Sequence, residues 1–263
     1  MIFDMKNNNF IYLLSSNCLD YLDNQTISNH STIFDSLSLS GCNLTFSGKN
    51  NILIITGKTK FKSAKIVFHG NNSIVIIGDS LVSNTFIHIY NNSNLFIGHK
   101  NYFNLSGTPK MIIIGECQNV LIGNDCLFSV SLWIGNTSGH PIYDLNGHRI
   151  DEQGVVFIGV HVWFSETISI LGPAIIASGA IIGANSFIHN KTINSNTLWA
   201  GELCKQIASN RCWIRETTAS YSIADTDNSK CKEVHSVIFK HSSDSILPTQ
   251  IDYILKNQHM MRD

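Results

Sequence analysis

The chain has 263 residues, a net charge of −1, and 14% charged against 43% hydrophobic residues, enough to bury a core and too apolar for disorder. That balance offers nucleic acid no basic field, and no run of about 18 apolar residues reads as a membrane span. Seven cysteines (Cys18, Cys42, Cys117, Cys126, Cys204, Cys212 and Cys231) are scattered without a CxxC pair, which weighs against zinc and against a disulfide framework and suits a reducing cytosol.

Residues 1–45 are rich in Asn and Ser, lack a signal-peptide pattern, and read as an N-terminal cap or accessory segment. From about residue 46 related pieces recur: NNILIITG from Asn50, NNSIVIIG from Asn71, NNSNLFIG from Asn91 and QNVLIG from Gln118. The first three start 21 and 20 residues apart, close to one 18-residue coil with a small insertion, and their Val, Ile and Phe content predicts β faces. A strict step of six then runs through Ile122, Phe128 and Ile134. It returns at Ile158, Phe164, Ile170, Ile176, Ile182 and Ile188. A period of six is neither helical nor that of a simple strand. It fits a solenoid of hexapeptides, each forming one face and turning one corner, with an aliphatic ladder inside.

The step after Ile134 falls on His140, where residues 136–154, NTSGHPIYDLNGHRIDEQG, read as a loop thrown out of the coil. Such insertions are where solenoids bind ligands. The period ends after Trp199–Ile207, and residues 208–263, with a helical-looking piece at Gln250–Met261, predict a C-terminal cap.

An imidazole titrates near neutrality and can take a proton from a hydroxyl, so His140, flanked by Gly139 and Pro141, leads the candidates for chemistry. His148 and His161 compete for that role, and Asp144 and Asp151 are carboxylates able to orient the ring. Each has a plain alternative: a solvated loop residue, or for His161 a satisfied residue of the coil. Trp163 precedes the inward Phe164 and should therefore face outward, towards a ligand or a subunit interface. Lys205 follows a turn-like AGELC and could meet a phosphate.

Over residues 121–207 the order of hexapeptides, a loop with His, Ile-Gly-X-X-X-Trp, further hexapeptides and an Ala-Gly turn before Lys resembles the hexapeptide-repeat acyltransferases, in particular bacterial polysaccharide O-acetyltransferases including the polysialic acid capsule enzymes. The resemblance implies a mainly β protein, a left-handed parallel β-helix over residues 46–207, whose hand no spacing argument reveals. It implies that His140 is the general base and that a hydroxyl attacks acetyl-CoA directly, without an acyl-enzyme. Trp163 is then the tryptophan beside the acetyl-CoA channel, and Ser165, Gly183, Ala184, Gly201 and Lys205 line the CoA groove. Trp133, Tyr143, Asp144 and Arg149 are expected to face the acceptor glycan. Homotrimers with active sites between subunits, a cytoplasmic location (or one peripheral to the inner membrane with capsule assembly) and no metal are implied as well. Two departures stand out: Trp163-Phe164-Ser165 replaces Trp-Ile-Gly, and Gly201-Glu202-Leu203-Cys204 replaces Gly-Asn-Pro-Ala. The alternatives are N-acetylation of an amino-sugar nucleotide, or a silent β-helix serving as a scaffold.

Overall fold

A computed structural model describes residues 2–14, 36–151 and 154–230. Its chain winds as a parallel β-helix with three faces. Face I carries Asn9–Leu14, Ile52–Thr56, Ile74–Ile77, Asn94–Ile97, Asn119–Ile122 and Val156–Ile158, each paired parallel to the next. Face II runs from Lys60–Lys62 through Leu81–Ser83, Tyr102–Phe103, Leu127–Phe128, Trp163–Phe164 and Ile181–Ile182 to Thr197–Ala200. Face III holds Cys42–Phe46, Ala64–Phe68, Thr85–Ile89, Lys110–Ile114 and Leu132–Gly135. The strands Ile168–Ile176 and Phe187–Ile193 run on from face III into face I.

The ladder of six is the inside of this coil. Ile122, Phe128, Ile134, Ile158, Phe164, Ile170, Ile176, Ile182 and Ile188 are all fully buried. A parallel coil stacks like on like, so Phe103, Phe128 and Phe164 lie ring on ring, with centroids 4.3 and 5.1 Å apart. Burying each such side chain is worth about 1.5–3 kcal/mol.

At the corners the chain needs a left-handed residue, and asparagine adopts that conformation more readily than most. Asn50, Asn72 and Asn92 all have positive φ, and their amides bond from coil to coil across intervals of 22 and 20 residues. The sequence spacing of 21 for the first interval is thus one short. Asn71, the letter that matched Asn50, instead accepts the Lys49 N–H. One coil later the interval widens to 25 residues, whereas the last coils close in 18.

The rungs begin before residue 46, because Asn9–Leu14 already pairs with Ile52–Thr56. Within residues 1–45, Ile2–Met5 lies antiparallel on Asn9–Leu14 and Ser36–Leu39 antiparallel on Cys42–Phe46. At the other end Lys205–Ser209 folds back antiparallel on Thr197–Ala200. A short helix, Ile223–Ser229, starts from a capping box between Ser222 and Asp225. The helical-looking piece Gln250–Met261 lies outside the described residues.

One of the buried polar side chains is a lysine. Lys110 is fully buried, and its Nζ donates to the carbonyls of Asn104 and Ser83. Burial pushes its pKa down to about 8. The folded state therefore sheds this proton before the unfolded chain does, so Lys110 makes stability rise with pH between about 8 and 10.4. Denaturant titrations of Lys110→Met should lack that rise. An identical pH dependence in the variant would contradict it.

Candidate active site

The loop leaves the corner between faces III and I, and its sequence folds it into a small antiparallel hairpin. Ile150 N–H donates to the Ile142 carbonyl, and Tyr143 bridges Arg149. At the tip Gly147 takes positive φ, while the Asp144 carboxylate accepts the N–H groups of Asn146 and His148 at 2.9 Å each. These bonds, that from His148 foremost, hold the Asp144 carboxyl below the usual carboxylate range.

The hairpin is tied to the coil by one charged group. Arg149 grips Asp151 with two hydrogen bonds of 2.7 and 2.8 Å and reaches Glu116, on the coil beneath, at 2.6 Å. Glu116 also accepts from Thr137. The Asp151 side chain is 7% exposed and accepts the Ile142 N–H and the Ser138 hydroxyl as well. The Arg149 guanidinium holds its carboxyl well below the ordinary range, so the pair stays ionised in any mildly acidic buffer.

Arg149 and Asp144, expected at the acceptor, both make hydrogen bonds within the loop. Asp151, read as able to orient the His140 ring, instead holds the backbone on either side of it. His140 itself is exposed, and no hydrogen bond to its ring occurs among the described residues. Ser138 fixes its carbonyl at 2.9 Å, and Gly139 before it takes positive φ. The result is an imidazole on a fixed backbone, facing solvent. Tyr143 is exposed on the hairpin, and Trp133 lies half-buried on the outside of face III with its ring over Gly135.

His161 takes the other course. It sits at a left-handed corner between faces I and II, buried, with Nδ1 2.6 Å from Asp125 and Nε2 3.1 Å from the Trp213 carbonyl. The Trp213 ring stacks on it at 4.2 Å and returns a hydrogen bond to the His161 carbonyl. Arg215 then clasps Asp125 at 2.7 Å and donates to the carbonyls of Lys100 and Cys126. Burial opposes ionisation of Asp125, but the bonds from His161 and Arg215 outweigh it and keep the carboxyl below its usual range. Trp213 and Arg215 thus form a strap across three coils. Sequence reading missed it because its partners lie 52 to 115 residues away and no period marks it.

Trp163 faces outward, half-buried, with the ring of Trp213 6.0 Å away. Ser165, Gly183 and Ala184, and Gly201 occupy one corner, between faces II and III, on successive coils joined by Ser165 N–H to Ile182 O and Gly183 N–H to Trp199 O. A side chain at Gly183 would press against Ala200 Cβ at 2.9 Å, whereas Gly201 has nothing within 4 Å. Lys205 is exposed at the start of the closing strand. The structure thus collects the expected groove residues along one edge. It puts His140 on another edge, with face III between them.

No protein-family model matches the chain. It is 33% identical over 149 residues to a polysialic acid O-acetyltransferase of Neisseria meningitidis, across 56% of this chain and 67% of that one. The chain belongs to the hexapeptide-repeat O-acetyltransferases. A polysialic acid O-acetyltransferase of Escherichia coli O1:K1 is 28% identical over 125 residues, 47% of this chain but only 39% of its own length. Among solved structures, the polysialic acid O-acetyltransferase OatWY superposes with a TM-score of 0.65 at 26% identity, covering 86% of this chain and 97% of that one. The polySia-specific acetyltransferase NeuO gives the same TM-score at 24% identity, over 87% and 96%. This O-acetyltransferase shares their left-handed β-helix. Among the described residues of the enzyme no helix is long and apolar enough to cross a membrane, and no cluster of three or more His, Cys, Asp or Glu is placed to hold a metal.

Proposed function

We propose that this acyltransferase moves an acetyl group from acetyl-CoA to a hydroxyl of a sialic acid residue in a capsular polysaccharide or its precursor, with His140 as general base. The observation that carries the reading is the exposed His140 ring on a backbone pinned by Ser138 and by the Glu116–Arg149–Asp151 bridge. A base must be placed before it is useful, and a rigid loop places it. His140 takes the hydroxyl proton as the oxygen attacks the thioester carbonyl carbon. The carbon–sulfur bond breaks, and the leaving thiolate takes that proton back from the imidazolium. The polysialic acid enzymes among its relatives supply the acceptor class.

The separation of the two edges supports a site shared between copies. His140 and the edge bearing Ser165, Gly183 and Gly201 flank face III on opposite sides, an arrangement that suits a second copy bringing its own groove edge to the loop. Exposed Phe96, Ile175 and Phe187 on the outer faces suit burial between copies. We therefore assign a homotrimer with acetyl-CoA held between subunits, against the corner glycines, with Lys205 near its phosphates and Trp163 along the channel. Dependence on acetyl-CoA puts the reaction in the cytoplasm.

The test is release of free thiol from acetyl-CoA in the presence of oligosialic acid, alongside other capsular glycans. Release with one acceptor supports the reading; silence across the panel, together with no rise in melting temperature on adding CoA, rejects it. Trp163→Ala should raise the KM for acetyl-CoA severalfold while leaving the fold intact, because the ring is half-exposed. Unchanged KM and kcat for acetyl-CoA would remove Trp163 from the channel.

A further inference from the structure

A cleft of about 310 Å³ opens between the hairpin loop and the coils behind it. We propose that it seats one sugar ring of the acceptor, with His189 holding a hydroxyl; this rests on the glycan-acceptor reading above. Ile142, Ile150 and Asp151 form the loop wall, and Leu171, His189 and Asn190 the coil wall. Its size is at the small end of ligand sites, right for one sugar unit and too small for a nucleotide co-substrate. Ile142 and Ile150 on one wall and Leu171 on the other offer apolar surface to the C–H faces of a pyranose. Asp151 is paired with Arg149 through two hydrogen bonds, which tempers the charge it turns towards an acidic sugar.

His189 is the group that can read a hydroxyl. Its Nδ1 lies 3.2 Å from the Leu171 carbonyl oxygen. A carbonyl only accepts, so Nδ1 carries the proton and Nε2, across the ring, presents a lone pair. The Phe187 ring lies beside it, with centroids 6.2 Å apart. Ser138, on the loop wall, bonds both Asp151 and the carbonyl of His140. The wall of the cleft thus continues directly into the residue that carries the base.

The experiment is steady-state kinetics with oligosialic acid on the full chain and on His189→Ala, His189→Gln and Ile142→Trp. Losing one hydrogen bond to the sugar should raise the acceptor KM about tenfold in His189→Ala. The KM for acetyl-CoA should not change, and kcat should fall less than about twofold. The glutamine amide oxygen can accept the same bond, so His189→Gln should recover most of the affinity. Ile142→Trp fills the cleft from the exposed loop while leaving every coil residue in place, and should raise the acceptor KM alike. If the wild type transfers acetyl while these variants keep its acceptor KM, the subsite is wrong and the reaction stands. A wild type that binds CoA but neither binds nor acetylates oligosialic acid overturns the acceptor reading, and the sugar subsite with it.

Discussion

Replacing His140 by alanine should lower the turnover number for acetyl transfer by a factor on the order of a hundred or more. The ring is exposed and makes no hydrogen bond within the described residues, so its loss removes nothing from the packing. Melting temperature, subunit assembly and the thermal shift produced by CoA should therefore match the wild type. His140→Gln should be as inactive as the alanine variant, because an amide fills the space without accepting a proton at neutral pH. Thiol release at saturating acetyl-CoA and acceptor is the measurement. Full activity in either variant would send the search to His148, since both ring nitrogens of His161 already face fixed oxygens.

The largest stability loss is expected at the middle of the phenylalanine stack. Phe128 is fully buried, with Phe103 4.3 Å on one side and Phe164 5.1 Å on the other, all three rings nearly parallel. Phe128→Ala leaves a cavity between two rigid rungs that cannot close in, at a cost of about 3–5 kcal/mol. Each coil touches only its neighbours, so the damage should concentrate at the rungs flanking residue 128. Urea denaturation gives the total, and amide exchange shows whether protection is lost first at face II near Leu127 and Trp163. A loss below about 1 kcal/mol would mean that the interior repacks far more freely than a stacked coil should.

The sequence was most readable where one physical demand acts at every turn. A strict step of six survives because each such side chain meets the same one above and below it. Where the demand is on the backbone alone, letters mislead: Asn71 looks like the counterpart of Asn50, yet it is Asn72 that takes the left-handed corner. The loop was visible as an interruption, and the outward turn of Trp163 followed from its neighbour. The loop contacts of Arg149 and Asp144 were not visible, because a charge acts on whatever the fold sets beside it, here Glu116, 33 residues back, and the tip of the hairpin itself. Trp213 and Arg215 were hidden for the same reason, and His189 occupies an ordinary rung whose importance depends on the loop that folds over it.

The reversed strands at the two ends have a consequence for how copies can meet. A stack of parallel rungs is an open template, and a second coil could add to it end on and lengthen it without limit. Ile2–Met5 and Ser36–Leu39 run against the grain on faces I and III at one end, as Lys205–Ser209 does on face II at the other. An incoming coil would meet a strand pointing the wrong way and could not continue the register. At these three edges growth along the axis is opposed, and the apolar flanks of the coil remain as surfaces through which copies can meet.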